Sequence, residues 1–270
     1  MIRITSLLLL WALSTAGFAD DAILIKGSTS ALPLMQQIVR LYRSEYPDAN
    51  LQVEGGGSGA GLAALIDGQV DIAMSSRFID PLEVQLAVQQ GIYPVPLQIA
   101  HDAIVPVVHP SNPLRNLSLQ QLTDIYRGYE VKWSGLGGPA APISTVCRDW
   151  DSGTRTTWRD LALDGTPARS CGSVAPSNRA VLEKVRSDPN AIGYVSLAFI
   201  SANSGVRPLR VEKQACTPRC VKTGCYPLTR PLFLFTNGWP DQRLMRFIDF
   251  ALHSEQARKV IRRAGLIPAQ

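Results

Sequence analysis

The chain has 270 residues, of which 46% are hydrophobic and 18% charged, and its formal net charge is +5. This length allows one large domain or two lobes of ordinary size. The mildly positive charge, without a lysine-rich run, favours an anionic ligand or a membrane surface and gives little support to nucleic-acid binding.

The first 19 residues have the pattern of a secretory signal peptide. Arg3 supplies a short basic region, Ile4 to Leu13 is mostly apolar, and Gly17-Phe18-Ala19 resembles a cleavage site. The alternative is an uncleaved anchor, for which the stretch is short. No later segment is apolar enough to span a bilayer. We therefore expect an exported, soluble mature chain that begins at residue 20.

The N-terminal part alternates apolar strands with amphipathic helices. Strands are predicted over 22–25, 51–53 and 70–74, and helices over 33–46, over 62–66 and from Asp80-Pro81 onward. Strands separated by helices predict an α/β fold with a mostly parallel sheet.

The alternation continues through the rest of the chain, after a proline-interrupted apolar run from His101 to Val108. The later predicted elements are helices over 119–126, from Ser177 to 185, 241–252 and 254–263, and strands over 143–147, 191–197 and 231–235. The run from His101 is a candidate crossing between two lobes.

The five cysteines of an exported chain are candidates for disulfides. An odd number leaves at least one thiol free or paired between chains. Cys216, Cys220 and Cys225 lie close together, where a loop disulfide is favoured over a zinc site because no histidine or fourth ligand is near. Cys147 with Cys171 is a second candidate bridge. The spacing leaves the pairing open.

Four strand exits share one composition of glycine and small hydroxyl residues. They are Gly27 to Ser30, Gly55 to Gly61, Ser75 to Arg77 and Ser152 to Arg155. Ligands of open α/β sheets bind beyond the carboxyl ends of the strands. A helix N-terminus with nearby arginine suits a tetrahedral oxyanion, and Arg148 precedes the last exit. Each exit alone is equally an ordinary turn or helix cap.

Other binding and catalytic patterns are absent or weak. The glycine-rich segment lacks the lysine of a Walker A loop and does not clearly match the Rossmann spacing. A hydrolase with Ser58 or Ser152 as nucleophile is an alternative, but His101, His109 and His253 stand in no recognisable triad context. We predict no catalytic residue, no metal site and no cofactor.

Taken in order, the motifs resemble those of the periplasmic phosphate-binding proteins that serve ATP-driven phosphate importers. The resemblance covers nearly the whole mature chain. It is carried by Gly27-Ser28-Thr29, the Gly55 to Gly61 segment, Val70 to Arg77, Asp102 to Val105, Ile125 to Gly128, Trp133, Arg148 with Ser152 to Arg155, Ala191 to Tyr194, and Tyr226 to Leu232.

The resemblance implies a type II periplasmic-binding-protein fold: two α/β lobes joined by a two-crossing hinge and closing over inorganic phosphate. Lobe I would comprise 20–100 plus 229–270, and lobe II would comprise 101–228. The implied ligand contacts, to which we add Arg77 beside Ser76, are Thr29, Ser30 through its N–H, Ser58, Ser76, Arg77, Arg148, Ser152, Gly153 and Thr154.

One position departs from the family pattern. Better-known members carry an aspartate that accepts the proton of hydrogen phosphate, and this chain has Ser76 there, followed by Arg77. A serine does not penalise an oxyanion that brings no proton. We therefore expect weaker discrimination against sulfate, or an acceptor elsewhere, with Asp149 and Asp151 as candidates.

The implied role is a monomeric, non-enzymatic periplasmic protein that delivers phosphate to an inner-membrane ABC permease and binds no nucleic acid. Three alternatives stay open: a binder of sulfate or another tetrahedral oxyanion, a secreted phosphate sensor or scavenger, and, with least support, a secreted hydrolase.

Overall fold

The computed structural model describes residues 22–269. The predicted signal peptide lies outside the described residues. Within them, strands and helices alternate along most of the chain, as the hydrophobic periodicity predicts.

The strands are β1 (Ile23–Gly27), β2 (Leu51–Gly56), β3 (Ile72–Ser75), β4 (Pro94–Val108), β5 (Asn116–Leu117), β6 (Ser144–Arg148), β7 (Ser173–Ala175), β8 (Ala191–Ser196), β9 (Arg207–Pro208), β10 (Arg210–Val211), β11 (Thr229–Asn237) and β12 (Ile267–Pro268). The helices are α1 (Leu32–Glu45), α2 (Ser58–Ile66), α3 (Pro81–Gln89), α4 (Leu119–Arg127), α5 (Gly153–Ala162), α6 (Asn178–Ser187), α7 (Pro218–Thr223), α8 (Gln242–His253) and α9 (Glu255–Arg263).

The main sheet runs in the order β2-β1-β3-β11-β4-β8-β6-β7. Pairing is parallel within β2-β1-β3 and within β8-β6-β7, and antiparallel at β11 and β4. The long strand β4 pairs with β11 up to Ala103 and with β8 from Ile104 onward. This change of neighbour divides the sheet into two halves, one for each lobe of a periplasmic-binding-protein fold, as predicted.

Local sequence signals explain most helix starts. The Asp80 side chain caps α3 in a capping box with Glu83, and Ser177 caps α6 through the N–H of Ala180. Helix α2 begins at Ser58, four residues before the predicted start. Gly61 makes this possible, because a Cβ there would lie only 2.6 Å from the Cα of Gly27 on β1.

Two disulfides are present, Cys147–Cys171 and Cys220–Cys225. The first is the predicted bridge beside the Arg148 motif, and the second closes the predicted cysteine loop. Cys216 is a free thiol whose pKa is raised by burial. Among residues 22–269, no helix is long and apolar enough to cross a membrane.

Candidate functional site

The four strand exits meet at the interface between the two lobes. The N–H of Gly59 donates to the carbonyl of Asp151 at 2.9 Å, and Thr157 Oγ1 donates to the carbonyl of Ser76 at 3.3 Å. The hydroxyls of Ser30 and Thr154 lie 3.0 Å apart. The structure is therefore closed, with residues of both lobes in direct contact around one buried polar cluster, which we call the cage.

Arg148 is the cationic centre of the cage. It ends β6, and its side chain is only 1% exposed. Its Nε donates to the carbonyl of Ala175 and its Nη2 to Thr29 Oγ1, at 3.0 and 3.1 Å. Nη1 is buried without a hydrogen-bond partner in the described part of the chain. A buried donor of this kind carries a desolvation cost that an anion would remove.

The surroundings of Arg148 hold its guanidinium in place. Its backbone N–H donates to the hydroxyl of Tyr194, whose ring stacks on Trp158 with centroids 4.4 Å apart. Burial raises the pKa of Tyr194 to about 12 and lowers that of Arg148. Tyr194 is therefore a neutral phenol at physiological pH, and Arg148 remains a cation.

Lobe I contributes hydroxyl groups from three exits. Thr29 accepts from Arg148, and Ser58 Oγ accepts the N–H of Ser76 at 3.0 Å while lying 3.3 Å from Ser76 Oγ. Ser30 also lies in the cage, but its N–H donates to Ser28 Oγ at 3.2 Å. The hydroxyl of Ser30, rather than its predicted amide, therefore faces the cluster.

Lobe II contributes the N-terminus of α5. Ser152 caps this helix by accepting the N–H of Arg155 at 3.2 Å, which leaves the N–H groups of Gly153 and Thr154 without intrahelical acceptors. Gly153 fits closely against lobe I: a Cβ there would stand 2.8 Å from Ser76 Oγ. The helix N-terminus thus faces the lobe I hydroxyls with free donors and partial positive charge.

Arg77 does not join the cage. Its guanidinium forms a fork with the carboxylate of Glu83 on α3, at 2.7 and 2.6 Å. The glutamate that completes the capping box of α3 therefore holds this guanidinium outside the cage. Arg155 also turns aside, with its Nη1 on the carbonyl of Arg148 and its guanidinium over the ring of Trp150.

The two carboxylates expected as alternative acceptors both lie at the lobe interface. Asp149 Oδ1 lies 3.5 Å from Arg148 Nη2, and desolvation raises the pKa of this carboxyl more than Arg148 lowers it. Asp151 accepts the N–H of Gly59 through its backbone carbonyl, and its side chain lies beside Gly57 and Gly59.

Three buried cage residues were not predicted: Asp102, Asn178 and Arg230. Arg230 on β11 donates to Thr154 Oγ1 at 2.9 Å and to Ser30 Oγ at 3.0 Å, so it contacts both lobes. It forms a buried ion pair with Asp102, at 2.8 Å. The sequence contains a signal for two of them, because Asp102 and Arg230 are charged residues within apolar strands. A charged residue in such a strand is usually buried and paired with an opposite charge. Asn178 carried no such signal.

The groups of the cage are suited to holding an anion. They are guanidinium, hydroxyl and helix N–H donors, together with the carboxylate of Asp102 and the carboxamide of Asn178, which are engaged by other residues of the cluster. No group of histidine, cysteine and carboxylate side chains able to hold a metal ion occurs within residues 22–269. The donor set matches that of oxyanion sites.

Comparison with known proteins gives one consistent result. A family model described as the PBP superfamily domain matches residues 14–255. The phosphate-binding protein PstS of Bacillus subtilis (strain 168) is 30% identical over 254 residues, which cover 93% of this chain and 81% of the relative. PstS of Pseudomonas aeruginosa (strain PAO1) is 28% identical, with 90% and 81% covered.

Solved structures agree. A phosphate-bound crystal structure from Clostridium perfringens, described as a substrate-binding protein of a phosphate ABC transporter, superposes with a TM-score of 0.85 at 30% identity. The alignment covers 93% of this chain and all of the other. An ABC-type phosphate transport receptor from Vibrio cholerae gives 0.74 at 31% identity, with 91% and 99% covered.

Proposed function

Because the chain belongs to the PBP superfamily and, within it, to the phosphate-binding proteins PstS, we propose that it captures inorganic phosphate between its two lobes and delivers it to an ABC-type permease. The observation that carries this proposal is Nη1 of Arg148, a buried cationic donor without a partner in the described chain. Arg148 ends β6 shortly before Ser152 caps α5, and a tetrahedral anion between them would satisfy both sets of donors.

The proposed ligand contacts are those that surround this donor. Thr29, Ser30, Ser58 and Ser76 come from lobe I, and Arg148, Ser152, Gly153 and Thr154 from lobe II. Arg77 is left out of the proposed site because Glu83 occupies its guanidinium.

The proposed lobes are 20–100 with 229–270, and 101–228. The change of neighbour on β4 after Ala103 and the start of β11 at Thr229 support both crossings. Two strands at the hinge allow the lobes to rotate apart without breaking either sheet half.

The setting we propose is the periplasm, with the protein a monomer that catalyses no reaction and binds no nucleic acid. The permease is the proposed partner because the family consists of substrate-binding proteins, and the C. perfringens relative is described as part of an ABC transporter. Closure around the ligand would supply the signal for docking, since only the closed form presents both lobes in this arrangement.

Sulfate is the second candidate ligand, and Ser76 is the observation that favours it. The side chain is buried against Ser58 and Gly153, where a hydroxyl imposes no charge repulsion on an anion without a proton.

Calorimetry on phosphate-stripped protein tests the proposal. We expect phosphate to bind with micromolar or tighter affinity. Arg148→Ala should weaken binding about a hundredfold or more, because it removes a charge-assisted donor from a desolvated anion. Arg77→Ala is the matched control, an arginine in an ion pair outside the cage, and should bind like the unmodified protein. Absence of both heat and a thermal shift with phosphate would refute the proposal.

A further inference from the structure

Both lone pairs of the Ser30 hydroxyl accept hydrogen bonds from groups that can act only as donors. Its Oγ accepts from Asn178 Nδ2 and from Arg230 Nη2, each at 3.0 Å. The Asn178 amide is fixed in orientation because its Oδ1 accepts the backbone N–H of Ser196 at 2.9 Å. A guanidinium has donors only, and a hydroxyl has two lone pairs and one proton. Ser30 therefore has only its proton left to offer.

Thr154 is held by the same arginine and accepts the hydrogen bond that Ser30 donates. Its Oγ1 accepts from Arg230 Nη1 at 2.9 Å and lies 3.0 Å from Ser30 Oγ. Since Ser30 has no lone pair left, Ser30 donates in this contact, and the second lone pair of Thr154 is filled. The one proton of Ser30 is thereby committed to Thr154, so the proton of Thr154 is the one that this pair can offer to an oxygen of a ligand.

Asp102 fixes the orientation of Arg230 and thereby the direction of these hydrogen bonds. Its Oδ2 accepts from Nε and Nη2 of Arg230, and its Oδ1 accepts from Ser196 Oγ and the N–H of Leu197. The carboxylate is 0% exposed and the guanidinium 1%. Rotation of Arg230 would leave a buried charge unpaired, which is strongly unfavourable. With both oxygens engaged, Asp102 is also not an acceptor for a ligand proton.

We propose that Asp102, Arg230 and Asn178 are positioning residues that make Ser30 an obligate donor to Thr154 and Thr154 an obligate donor to the ligand, so that this wall of the cage selects an oxyanion oxygen without a proton. This inference rests on the proposed function and specifies the form of the anion. Hydrogen phosphate enters with its proton directed away from this wall, and sulfate, which has no proton, satisfies the same donors.

Parallel calorimetric titrations of phosphate and sulfate into Thr154→Val and Ser30→Ala test the direction of donation. Thr154→Val removes the donor to the ligand and should weaken both anions by the same factor, about tenfold. Ser30→Ala instead frees one lone pair of Thr154, which can then accept the proton of phosphate, so phosphate affinity should rise relative to sulfate affinity. If Thr154 accepts the proton of phosphate in the unmodified protein, the loss in Thr154→Val will be confined to phosphate, and the inference is overturned.

Arg230→Lys tests the positioning role with the charge retained. An ammonium lacks the planar fork that reaches Asp102, Ser30 and Thr154 together. The freed lone pairs can then accept the proton of phosphate, so sulfate affinity should fall about tenfold and phosphate affinity less. Equal losses for both anions would show a role in folding or charge alone and overturn the inference.

Arg243→Lys is the control for Arg230→Lys. It alters the Arg243–Asp71 pair, which lies at the other end of β3 from the cage, and should leave the phosphate-to-sulfate ratio unchanged. Thermal unfolding of each variant verifies folding, and Thr154→Val alone decides the matter if Arg230→Lys does not fold. Unmodified protein that binds phosphate but not sulfate contradicts this inference and leaves the proposed function intact. Protein that binds neither anion contradicts the proposed function.

Discussion

Ser76 is the residue through which the cage differs most from the pattern its family resemblance implies. The side chain is buried, its N–H donates to Ser58 Oγ, and its hydroxyl lies 3.3 Å from the same atom. A carboxylate here would be an acceptor for the proton of hydrogen phosphate and would repel sulfate. We therefore expect the chemistry of this one side chain to determine which anion is excluded.

Ser76→Asp should convert the site to one that rejects sulfate. We expect sulfate affinity to fall at least about a hundredfold, because two uncompensated negative charges would meet in a desolvated space. Phosphate affinity should fall much less, since its proton bridges the two groups. Competition titrations at neutral pH measure both, with Ser76→Ala as the uncharged control. Equal sensitivity of the two anions to the aspartate would contradict this role for position 76.

The N-terminus of α5 is the element that we expect to control lobe closure. Ser152 caps the helix, and Gly153 allows its first turn to approach Ser58 and Ser76 of lobe I. A Cβ on Gly153 would stand 2.8 Å from Ser58 Cβ, closer than real side chains pack. The glycine is therefore required by the contact between lobes, although the helix itself would tolerate alanine.

Gly153→Ala should weaken phosphate binding about tenfold or more with little loss of thermal stability, because the added methyl keeps the lobes from closing fully. Gly91→Ala is a suitable control. Gly91 has a φ of +74°, and no atom lies within 4 Å of the place that a Cβ would take, so alanine should lower the melting temperature through backbone strain and leave affinity unchanged. Calorimetry and thermal unfolding separate the two effects, and unchanged affinity in Gly153→Ala would refute the steric explanation.

For the whole molecule, closure depends on a few polar contacts around the cage. Arg148 reaches Thr29 across the interface at 3.1 Å, Arg230 reaches Thr154 at 2.9 Å and Asn178 reaches Ser30 at 3.0 Å. The buried Arg230–Asp102 pair also joins the two lobes, and a hydroxyl pair and backbone hydrogen bonds add to these contacts. Contacts of this kind are individually worth about 1 kcal/mol. A bound anion that satisfies Arg148 and the α5 N-terminus adds to them only when both lobes are together, so it shifts the population toward the closed form.

Small-angle X-ray scattering should therefore show a larger radius of gyration for phosphate-stripped protein than for the phosphate complex. The change should be absent in Arg148→Ala, which lacks the guanidinium that links the ligand to lobe II. Identical scattering curves for the stripped and loaded unmodified protein would mean that the lobes stay closed without ligand.

Much of the architecture follows from local sequence. Alternating apolar runs and capping residues such as Asp80 and Ser177 predict most of the strand and helix order, without α7 and the short strands β5, β7, β9, β10 and β12. The bounds of the predicted helices agree closely except at α2. There, close packing of Gly61 on Gly27 extends the helix into a glycine-rich segment that local propensity treats as a loop. The strand exits likewise identified Thr29, Ser58, Ser76 and Arg148 as neighbours, because strand ends converge at one edge of a sheet.

The two-lobed α/β fold, the family and the motifs that supply donors to an anion could all be inferred from the amino-acid sequence. Which side chains reach the cage became clear only from the folded chain. Arg77 follows a cage residue but pairs with Glu83, whereas Arg230 comes from a distant strand and meets Ser30 and Thr154. This difference arises because the position of the carboxylate with which each arginine pairs determines where its guanidinium lies. For Arg230 that partner is Asp102, more than a hundred residues earlier in the chain, and no local pattern records such a pairing.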